Sequence, residues 1–419
     1  MARWQRQPDP VVITGIGLTA SVGDDRESVW QAVREGRSAM RRLSGLAGIP
    51  DGMLIGAPVD VTLPPERVGE LKVLTLCDRV ADEALADADV DTDRVPPERF
   101  GCAISAHMGD TRCIAELYGL AHMFPPTAVP WQQQWLPNTA CARTASRLRL
   151  HGPRIGHSTA CASGLIEVLT AMRSIQDGQC DIALAGSAEA IDPLFAAGFH
   201  QMRVLAHHDD PKQACRPFDL GRQGFVMGEG AGMFVLERLS HAQARGAKIY
   251  AEIVCGKLGA TAHHVTDLDM ESDSLAHLIE NTLRSGGLAP HDIGYIHAHS
   301  TGTQQNDLAE ARAIRRAMGS AAQRLCVSAN KSILGHLINA AGTVELAITT
   351  LAMRDGFVPP TLNLTQPDPE CDLDCIPLVG RPTQFLTALK LSVAFGGTLA
   401  AVALRRWDGA AAAVKPRAA

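Results

Sequence analysis

The sequence predicts an α/β fold that is built as a duplicated unit. Short apolar runs alternate along the chain with helical stretches, which is typical of buried strands covered by helices. A strand, a Gly-rich turn and a second strand occur at 224–239, "GFVMGEGAGMFVLERL", and again at 392–407, "SVAFGGTLAAVALRRW". We interpret this recurrence as two hairpins that close two related halves of the molecule.

The predicted elements follow this alternation in order. The strands are the runs "VVITGIG", "FGCAIS", "DIALAGS", "YIHAH" and "RLCVSA". The helices are the stretches 73–88, 162–177, 271–286 and 337–354. The second helix places five apolar residues on one face and is ended by Gly178; these residues are Leu165, Val168, Leu169, Met172 and Ile175.

A second repeated sequence pattern supports the duplication. One helix ends in "QDG" (176–178) and another ends in "RDG" (354–356). Counting back from each Gly places Cys161 level with Asn339, three residues after His336. We place the boundary near "RGAKIY", which predicts an N-terminal half over 1–250 and a C-terminal half over 251–419.

The composition excludes several classes of function. Hydrophobic residues make up 46% of the 419 residues and charged residues 20%, which is enough apolar material for a large core. The net charge of −6 predicts no nucleic-acid partner and no binding to an anionic membrane surface. No apolar stretch reaches the length of a membrane span, and the apolar start is interpreted as a buried strand rather than a signal peptide. We therefore expect a cytoplasmic protein.

The cysteines predict neither disulfides nor a structural metal site. Eleven cysteines are scattered along the chain, an odd number without a framework spacing. Cys371 and Cys375 lie close together, but no second Cys/His pair follows at zinc-finger spacing. Most of these thiols are expected to be small buried hydrophobes.

Two regions stand apart from the regular pattern. The stretch 107–137 contains Pro125, Pro126, Pro130 and Pro137, which break any long helix, so we expect a functional or interface loop. The tail "GAAAAVKPRAA" is of low complexity and is expected to fray.

The stretch "HSTACASG" (157–164) presents a candidate nucleophile. A helix N-terminus and a nearby imidazole both favour a thiolate, and Cys161 is predicted at a helix start. Ala162 and Gly164 leave space for a substrate to approach. The alternative is that Cys161 is an inert packing residue.

Candidate partners for this thiol come from distant parts of the chain. His299 ends an apolar run in "HAHSTGTQQND" (297–307), and Lys331 and His336 surround a tight turn in "NKSILGHLINAAG" (330–342). The stretch "AFGGT" (394–398) supplies a flexible glycine pair whose backbone N–H groups could face an oxyanion.

In this order and spacing, the motifs resemble a β-ketoacyl-acyl-carrier-protein synthase of the elongating, Cys-His-His type. They are "TACASG", "CRPFDLGRQGFVMGEGAG", "HAHSTGT", "KSILGH" and "AFGGT", and the resemblance extends from "VVITGIGL" to "VALRRW". It implies the thiolase fold, a duplicated five-layered αβαβα arrangement, and a homodimer. It implies no cofactor and no metal.

The resemblance also implies an activity, the decarboxylative Claisen condensation of an acyl-Cys161 thioester with malonyl-acyl-carrier protein in type II fatty-acid elongation. His299 and His336 would donate to the enolate oxygen. The oxyanion at the acyl carbonyl would rest on the backbone N–H groups of Cys161 and Phe395.

Further roles come from the same resemblance. Lys331 would support the charge balance around His336, and Glu345 would order the base of the site. Phe395 resembles a mobile gate, with Gly396 and Gly397 as its hinge. Thr301 and Thr303 match positions that bind pantetheine.

The sequence departs from the family pattern at several positions. His297 replaces a common Asn, Ala394 a usual Gly and Leu399 a usual Asn. The stretch "SAHMGD" (105–110) replaces a Gly/Ser-rich loop that borders the acyl tunnel in the family. We expect the bulk of His107 and Met108 in this loop to shorten or redirect that tunnel.

The implied partner is an acidic acyl carrier protein, which needs a positive landing site on this acidic chain. Arg67, Lys72 and Arg203 lie near positions used for that purpose in the family. The acyl length and the pathway stay open.

Four alternatives remain. A zinc site on Cys161, His299 and His336 lacks an evident fourth ligand. A non-catalytic partner resembling chain-length factors is disfavoured because such partners lack the nucleophile. A specialised condensing enzyme of polyketide or unusual-lipid synthesis is suggested by the irregular 107–137 stretch. A thiolase is disfavoured because no Cys lies in a C-terminal Gly-rich motif.

Overall fold

The computed structural model describes residues 9–107, 111, 114–115, 118–120, 122, 128–268, 270 and 273–409. Its strands are β1 (Val11–Ala20), β2 (Arg41–Arg42), β3 (Ile55–Ala57), β4 (Phe100–Ala106), β5 (Arg154–Ile155), β6 (Ile182–Glu189), β7 (Met227–Gly228), β8 (Gly230–Arg238), β9 (Ala251–Ala260), β10 (Tyr295–His297), β11 (Cys326–Ser328), β12 (Phe357–Val358), β13 (Arg381–Pro382), β14 (Thr387–Val393) and β15 (Thr398–Arg406). Its α-helices are α1 (Arg26–Arg34), α2 (Lys72–Asp87), α3 (Thr139–Arg147), α4 (Ser163–Gln176), α5 (Pro193–Gln201), α6 (Leu239–Ala244), α7 (Ser274–Ser285), α8 (Gln304–Met318), α9 (Lys331–Leu334) and α10 (Ala341–Asp355).

Ten of the strands form one continuous mixed sheet in the order β11-β10-β14-β15-β9-β1-β8-β6-β4-β5. The order is symmetric about the β9–β1 junction, where Val11 pairs with Ile253 and Ile13 with Ala251. In each half the three strands nearest the edge run parallel, and the two nearest the junction pair antiparallel. The predicted α/β class and its duplication are therefore present in the strand order.

Helices lie in three layers around the two halves of the sheet. Apolar residues of α2 and α3 pack on β4, β6 and β8, which forms the outer core of the N-terminal side. Apolar residues of α7 and α8 pack on β10, β14 and β15 on the opposite side. Between the two halves lie α4 and α10, which share the largest core. This alternation confirms the thiolase-like αβαβα arrangement.

The two central helices meet through glycines at equivalent positions. A Cβ atom on Gly164 of α4 would lie 2.7 Å from the backbone nitrogen of Thr343, and one on Gly342 of α10 would lie 2.6 Å from that of Leu165. Because neither position has room for a side chain, the backbones of the two helices contact each other directly. This crossing brings the N-terminal ends of both helices to the centre of the molecule.

A hairpin is predicted in both halves, and the structure contains it in the C-terminal half only. Strands β14 and β15 form the antiparallel hairpin predicted at 392–407. At 224–239 the prediction is wrong, because β7 pairs in parallel with β3 whereas β8 pairs with β1 and β6. The segment before β8 is drawn away from it because Phe225 bridges to Leu205 and Met227 bridges to His336.

Other expectations have mixed outcomes. The four predicted helices are present with ends shifted by a few residues. The ten described cysteines are free and buried. Much of 107–137 lies outside the described residues, as does nearly all of the tail, so the roles expected of them remain predictions, as does the boundary near 245–250. Among the described residues, every helix is too short or too polar to span a bilayer.

Candidate active site

Cys161 lies in a tight turn at the start of the central helix α4. The turn is a 3-10 helix over Ala160–Ala162, and its first residue has a φ of +45°. The Cys161 side chain is 4% exposed, and its Sγ lies 3.0 Å from Nε2 of His336. The local fold thus presents a buried thiol to an imidazole that lies in the other half of the chain.

The two predicted histidines both lie next to the Cys161 thiol. His299 follows β10, and His336 lies between α9 and the turn Ile338–Ala340 that precedes α10. Their rings are 5.2 Å apart and nearly perpendicular. One side-chain ligand atom from each of Cys161, His299 and His336 lies within 4.8 Å of the others. The structure therefore brings the three predicted residues into one cluster.

Lys331 and Glu345 form a buried ion pair beneath the histidines. Lys331 Nζ lies 2.5 Å from Oε1 of Glu345, donates to the backbone carbonyl of His299, and lies 3.4 Å from Nδ1 of the same histidine. A lysine ammonium has no acceptor, so Nδ1 of His299 must be the unprotonated nitrogen. The Nε2 atom of His299 is thereby left as an N–H donor.

Burial decides the protonation states of the cluster. It lowers the pKa values of His299 and His336 well below the ordinary value, and the charge of Lys331 lowers both further. Both imidazoles are therefore neutral near pH 7. A neutral imidazole can accept or donate one proton, whereas an imidazolium can only donate.

Burial has a larger effect on the pKa of Cys161 than the helix start has. Burial raises the pKa of Cys161 to about 12, although the charge of Lys331 and hydrogen bonds from the backbone N–H groups of Phe395 and Cys161 act in the opposite direction. The backbone N–H groups at the helix start therefore favour the thiolate, but desolvation outweighs them, and burial keeps Cys161 as a thiol. The thiol proton must therefore pass to a base as the sulfur reacts, and His336 Nε2 lies where it can accept that proton.

The turn between β14 and β15 carries Phe395 to the thiol. Its glycines, Gly396 and Gly397, have φ values of +83° and +78°. A side chain on Gly397 would also collide with the backbone carbonyl of Thr261. The Phe395 ring is partly buried and lies 6.3 Å from the ring of Phe199. The turn places the backbone N–H of Phe395 within hydrogen-bonding reach of the Cys161 sulfur.

Thr301 and Thr303 lie on the loop between His299 and α8. Their hydroxyl oxygens are 3.0 Å apart, with Thr301 buried and Thr303 partly exposed. The loop continues directly from His299.

His107 follows β4 and contacts an acidic residue near the thiol. Its Nδ1 lies 3.4 Å from Oε1 of Glu189, and its ring is 3.7 Å from that of Phe195. Glu189 is 3% exposed, and its charge raises the pKa of Cys161. Met108 lies outside the described residues.

A row of aromatic rings connects His107 to the cluster. Phe195 lies 6.1 Å from Phe199, which lies 5.3 Å from Phe225, which in turn lies 5.2 Å from His336. Phe195 is 37% exposed, so the row leads from the surface to the thiol. Two of these rings come from α5, which the sequence analysis did not single out.

Two buried charged residues of the site were missed. Glu310 of α8 accepts hydrogen bonds from the backbone N–H groups of His299 and Ser300 at 2.6 and 2.7 Å. Lys390 of β14 lies 2.7 Å from Oε2 of Glu345. A signal was present for the second, because a lysine in the apolar run "TALKLSV" must find a buried partner.

The structure shows the surroundings of the residues that depart from the family pattern. His297 is paired in register with Lys390 and is fully buried, with its Nδ1 3.0 Å from the hydroxyl of Thr349. Leu399 packs in the outer core of the C-terminal side. The backbone N–H of Ala394 donates to the carbonyl of Thr398 across the β14–β15 turn.

The cluster does not fit a zinc site, although its three ligand atoms are close enough for one. A metal-bound histidine normally donates its second nitrogen to a carboxylate or carbonyl. Nδ1 of His299 faces the Lys331 ammonium instead, and Nδ1 of His336 has no hydrogen-bond partner among the described residues. The same arrangement leaves the two Nε2 atoms suited to hydrogen bonding with a substrate.

Two of the three predicted docking residues are engaged within the chain. Arg67 pairs with Glu70 and Asp78, and Lys72 lies 2.7 Å from Glu229. Arg203 is exposed, and no ion pair to it is found among the described residues. Of these three, Arg203 is the one that the structure leaves available to an acidic partner.

Comparison with known proteins agrees with the geometry. Residues 70–242 match the family described as Beta-ketoacyl synthase, N-terminal domain, and residues 250–365 match Beta-ketoacyl synthase, C-terminal domain. The chain is 36% identical to 3-oxoacyl-[acyl-carrier-protein] synthase 2 of Coxiella burnetii, over 94% of this chain and 98% of that protein. It is also 36% identical to the tetracenomycin polyketide synthase ketoacyl synthase alpha subunit of Streptomyces glaucescens, over 94% and 97% of the two chains.

The chain is also similar to solved structures of ketosynthases. One is a type II polyketide acyl-carrier protein in complex with its ketosynthase bound to the hexaketide, matched with a TM-score of 0.88 and 31% identity over 96% of this chain and 100% of that chain. Another is the ishigamide ketosynthase/chain length factor, with a TM-score of 0.85 and 30% identity over 96% and 100%.

Proposed function

Because this chain belongs to the β-ketoacyl synthase family of condensing acyltransferases, we propose that it joins an acyl group held on Cys161 to a malonyl unit with loss of CO₂. The observation that carries the proposal is the buried cluster of one thiol and two neutral imidazoles. Both acyl and malonyl groups arrive as thioesters on an acyl carrier protein.

The first half-reaction loads the enzyme. Cys161 Sγ attacks the carbonyl of the acyl thioester while its proton passes to His336 Nε2, 3.0 Å away. The carbon–sulfur bond to the carrier then breaks, and the proton passes on to the departing pantetheine sulfur. The developing oxyanion is held by the backbone N–H groups of Cys161 and Phe395.

The second half-reaction makes the carbon–carbon bond. The malonyl thioester loses CO₂, and the electron pair of the broken bond delocalises onto the thioester oxygen as an enolate. His299 and His336 donate Nε2–H hydrogen bonds to that oxygen. The enolate carbon then attacks the acyl-Cys161 carbonyl, and the carbon–sulfur bond breaks with Cys161 leaving as a thiolate. This thiolate takes up one proton from solvent and becomes the thiol again.

The surrounding residues support these steps. Lys331 fixes Nε2 of His299 as the donor, and Glu345 holds Lys331 in place. His336 Nδ1 has no hydrogen-bond partner among the described residues, so its tautomer can change between accepting a proton and donating one. Phe395 acts as a gate on the hinge of Gly396 and Gly397, and Thr301 and Thr303 bind pantetheine.

Two pathway roles follow for this reaction. The first is elongation in type II fatty-acid synthesis, which is supported by the 3-oxoacyl-[acyl-carrier-protein] synthase 2 relatives. The second is condensation in polyketide or unusual-lipid synthesis. It is favoured by the polar pair of His107 and Glu189 near the thiol, which suits an acyl chain that carries oxygen. In either role we expect a homodimer that acts on carrier-bound substrates.

The decisive experiment separates the two half-reactions. Intact mass spectrometry after incubation with acyl-carrier proteins should show an acyl adduct on the wild-type chain and none on Cys161→Ala. His299→Ala should still accept the acyl group but form no β-ketoacyl product from malonyl-carrier protein. His336→Ala should load more slowly, because it lacks the base that takes the Cys161 proton, and should also form no product. Saturated and β-keto acyl carriers of several lengths, compared in parallel, distinguish the two pathway roles.

The contrary outcomes are equally clear. A Cys161→Ala enzyme that still extended acyl chains would contradict the assignment of the nucleophile. A wild-type chain that took up no acyl group, and that purified only with a second ketosynthase-like subunit, would favour the non-catalytic partner instead.

A further inference from the structure

The layer beneath the two imidazoles holds more buried charge than the reaction described above uses. Glu345 is 1% exposed, and its two oxygens face two different ammonium groups. Lys331 Nζ lies 2.5 Å from Oε1, and Lys390 Nζ lies 2.7 Å from Oε2. Lys331 alone would neutralise Glu345, so the second lysine requires its own explanation.

A second buried carboxylate lies in the same layer. Glu310 is fully buried and accepts hydrogen bonds from the backbone at His299 and Ser300. It is close enough to stabilise the charge of Lys390. Two carboxylates and two ammonium groups therefore balance, whereas without Lys390 the layer beneath the histidines would carry a net negative charge.

Lys390 is placed to act on the histidines through this layer. Its Nζ lies 3.4 Å from the backbone carbonyl of Ala298, directly before His299, and also donates to the carbonyl of Leu391. The neighbour in register, His297, is neutral because burial and both lysines lower its pKa. The groups that face Lys390 are thus Glu345 from α10, Lys331 from α9, Glu310 from α8, and His297 on β10, with His299 and His336 beyond them.

We propose that Lys390 is a positioning residue for the condensation step, which offsets the second buried carboxylate so that the enolate forms above a charge-balanced layer. The inference rests on the proposed function. A negative layer would oppose the charge that develops at the thioester oxygen, which His299 and His336 hold directly above it, whereas the oxyanion of acyl transfer rests on the backbone N–H groups of Cys161 and Phe395. Lys390 should therefore affect condensation more than acyl transfer.

The titration of Lys390 makes this testable. Burial lowers the pKa of Lys390 to about 8, aided by the charge of Lys331 and opposed by Glu345 and Glu310. As the pH rises from 7 to 9, Lys390 loses its proton and the layer becomes negative. A unit charge within about 10 Å at an effective dielectric of about 20 changes a rate by roughly tenfold.

The experiment measures the ratio of the condensation rate to the acyl-transfer rate between pH 7 and pH 9, with acyl- and malonyl-carrier proteins. In the wild type this ratio should fall about tenfold. In Lys390→Met it should be low at pH 7 and stay flat, and in Lys390→Arg it should stay high because a guanidinium does not titrate. His297→Asn is the matched control, since it changes the adjacent neutral residue and should keep the wild-type decline.

Several results would overturn the inference. A flat wild-type ratio does so without any variant, which matters if Lys390→Met fails to fold in a thermal-unfolding control. A Lys390→Met variant that keeps the wild-type decline, or that slows both half-reactions equally, shows a merely structural lysine. If the wild type neither takes up an acyl group nor condenses, the proposed function fails instead.

Discussion

The turns that begin the two central helices have the same backbone but different chemistry. Each is a 3-10 turn whose first residue has a positive φ, +45° at Ala160 and +34° at Ile338. The turns are followed by α4 and α10, and each helix stretch reaches its glycine at the same distance, Gly178 and Gly356. The first turn presents Cys161 and the second presents Asn339.

The groups that face the two turns account for the difference. Cys161 faces His336 and His299, and His299 follows β10. Asn339 instead receives Glu189, whose Oε2 accepts its backbone N–H at 3.0 Å. Its side-chain oxygen, in the orientation that satisfies the neighbouring groups, accepts from the backbone N–H of His107 at 2.9 Å, and His107 follows β4, the counterpart of β10 in the sheet. Cys161 therefore lies beside two imidazoles, whereas the described contacts of the Asn339 side chain are to backbone N–H groups and to the Ser163 hydroxyl.

The largest effect should come from moving the thiol to the other turn. In Cys161→Ala/Asn339→Cys, the new side chain faces the backbone N–H groups of Ala106 and His107 instead of the two imidazoles, so we expect the acyl adduct to be undetectable. Intact mass spectrometry after incubation with acyl-carrier protein measures this. An adduct mapped to residue 339 would show that the turn alone suffices.

The next prediction tests whether α4 and α10 are packed equally tightly where they cross. Gly164→Ala and Gly342→Ala each force a Cβ into the opposing backbone, at 2.7 and 2.6 Å. Each should lower the free energy of unfolding by about 2 to 3 kcal/mol, measured by urea denaturation. Gly198→Ala in α5 is the control, since its Cβ meets nothing within 4 Å and should be neutral or stabilising. Markedly unequal losses would show that the helix crossing is not symmetric.

The thiol titration probes the charges that separate the two turns. Glu189 raises the pKa of Cys161 and Lys331 lowers it, so Glu189→Gln should lower this pKa and Lys331→Met should raise it further. The measurement is the rate of iodoacetamide labelling of the Cys161 peptide against pH, with exposed Glu66→Gln as the charge-matched control. If Glu189→Gln left the labelling profile unchanged, Glu189 would not act on the thiol.

The smallest effect concerns the acyl group. His107→Ala removes the ring that lies 3.7 Å from Phe195 and the contact of that ring with Oε1 of Glu189. We expect a few-fold change in the preference for saturated over β-keto acyl carriers, with loading of the preferred carrier retained. The ratio of the two kcat/KM values measures it. An unchanged ratio would separate His107 from acyl selection.

Sequence reasoning was strongest where residue type and local spacing carry the signal. The α/β class and the four helices could be predicted because periodicity is a local property. The cluster of Cys161, His299 and His336 could be predicted because the motifs that carry these residues resemble those of a known family. The hairpin at 224–239 could not, because its first strand leaves β8 for β3 and the bridge to His336. Lys390 was missed because its partner Glu345 lies far away in the chain, and Glu310 was missed because it binds backbone N–H groups, which no side-chain motif reveals.

The sequence by itself determined which groups exist and in what order: one thiol before a helix, two histidines, a lysine and a glycine turn. The tertiary structure decided which of them meet and in what protonation state. The crossing of Gly164 with Gly342 brings both helix starts to one centre, and burial there raises the pKa of Cys161 while lowering those of the histidines. Desolvation is a property of packing, so the chemistry of the thiol could be read only from the folded chain.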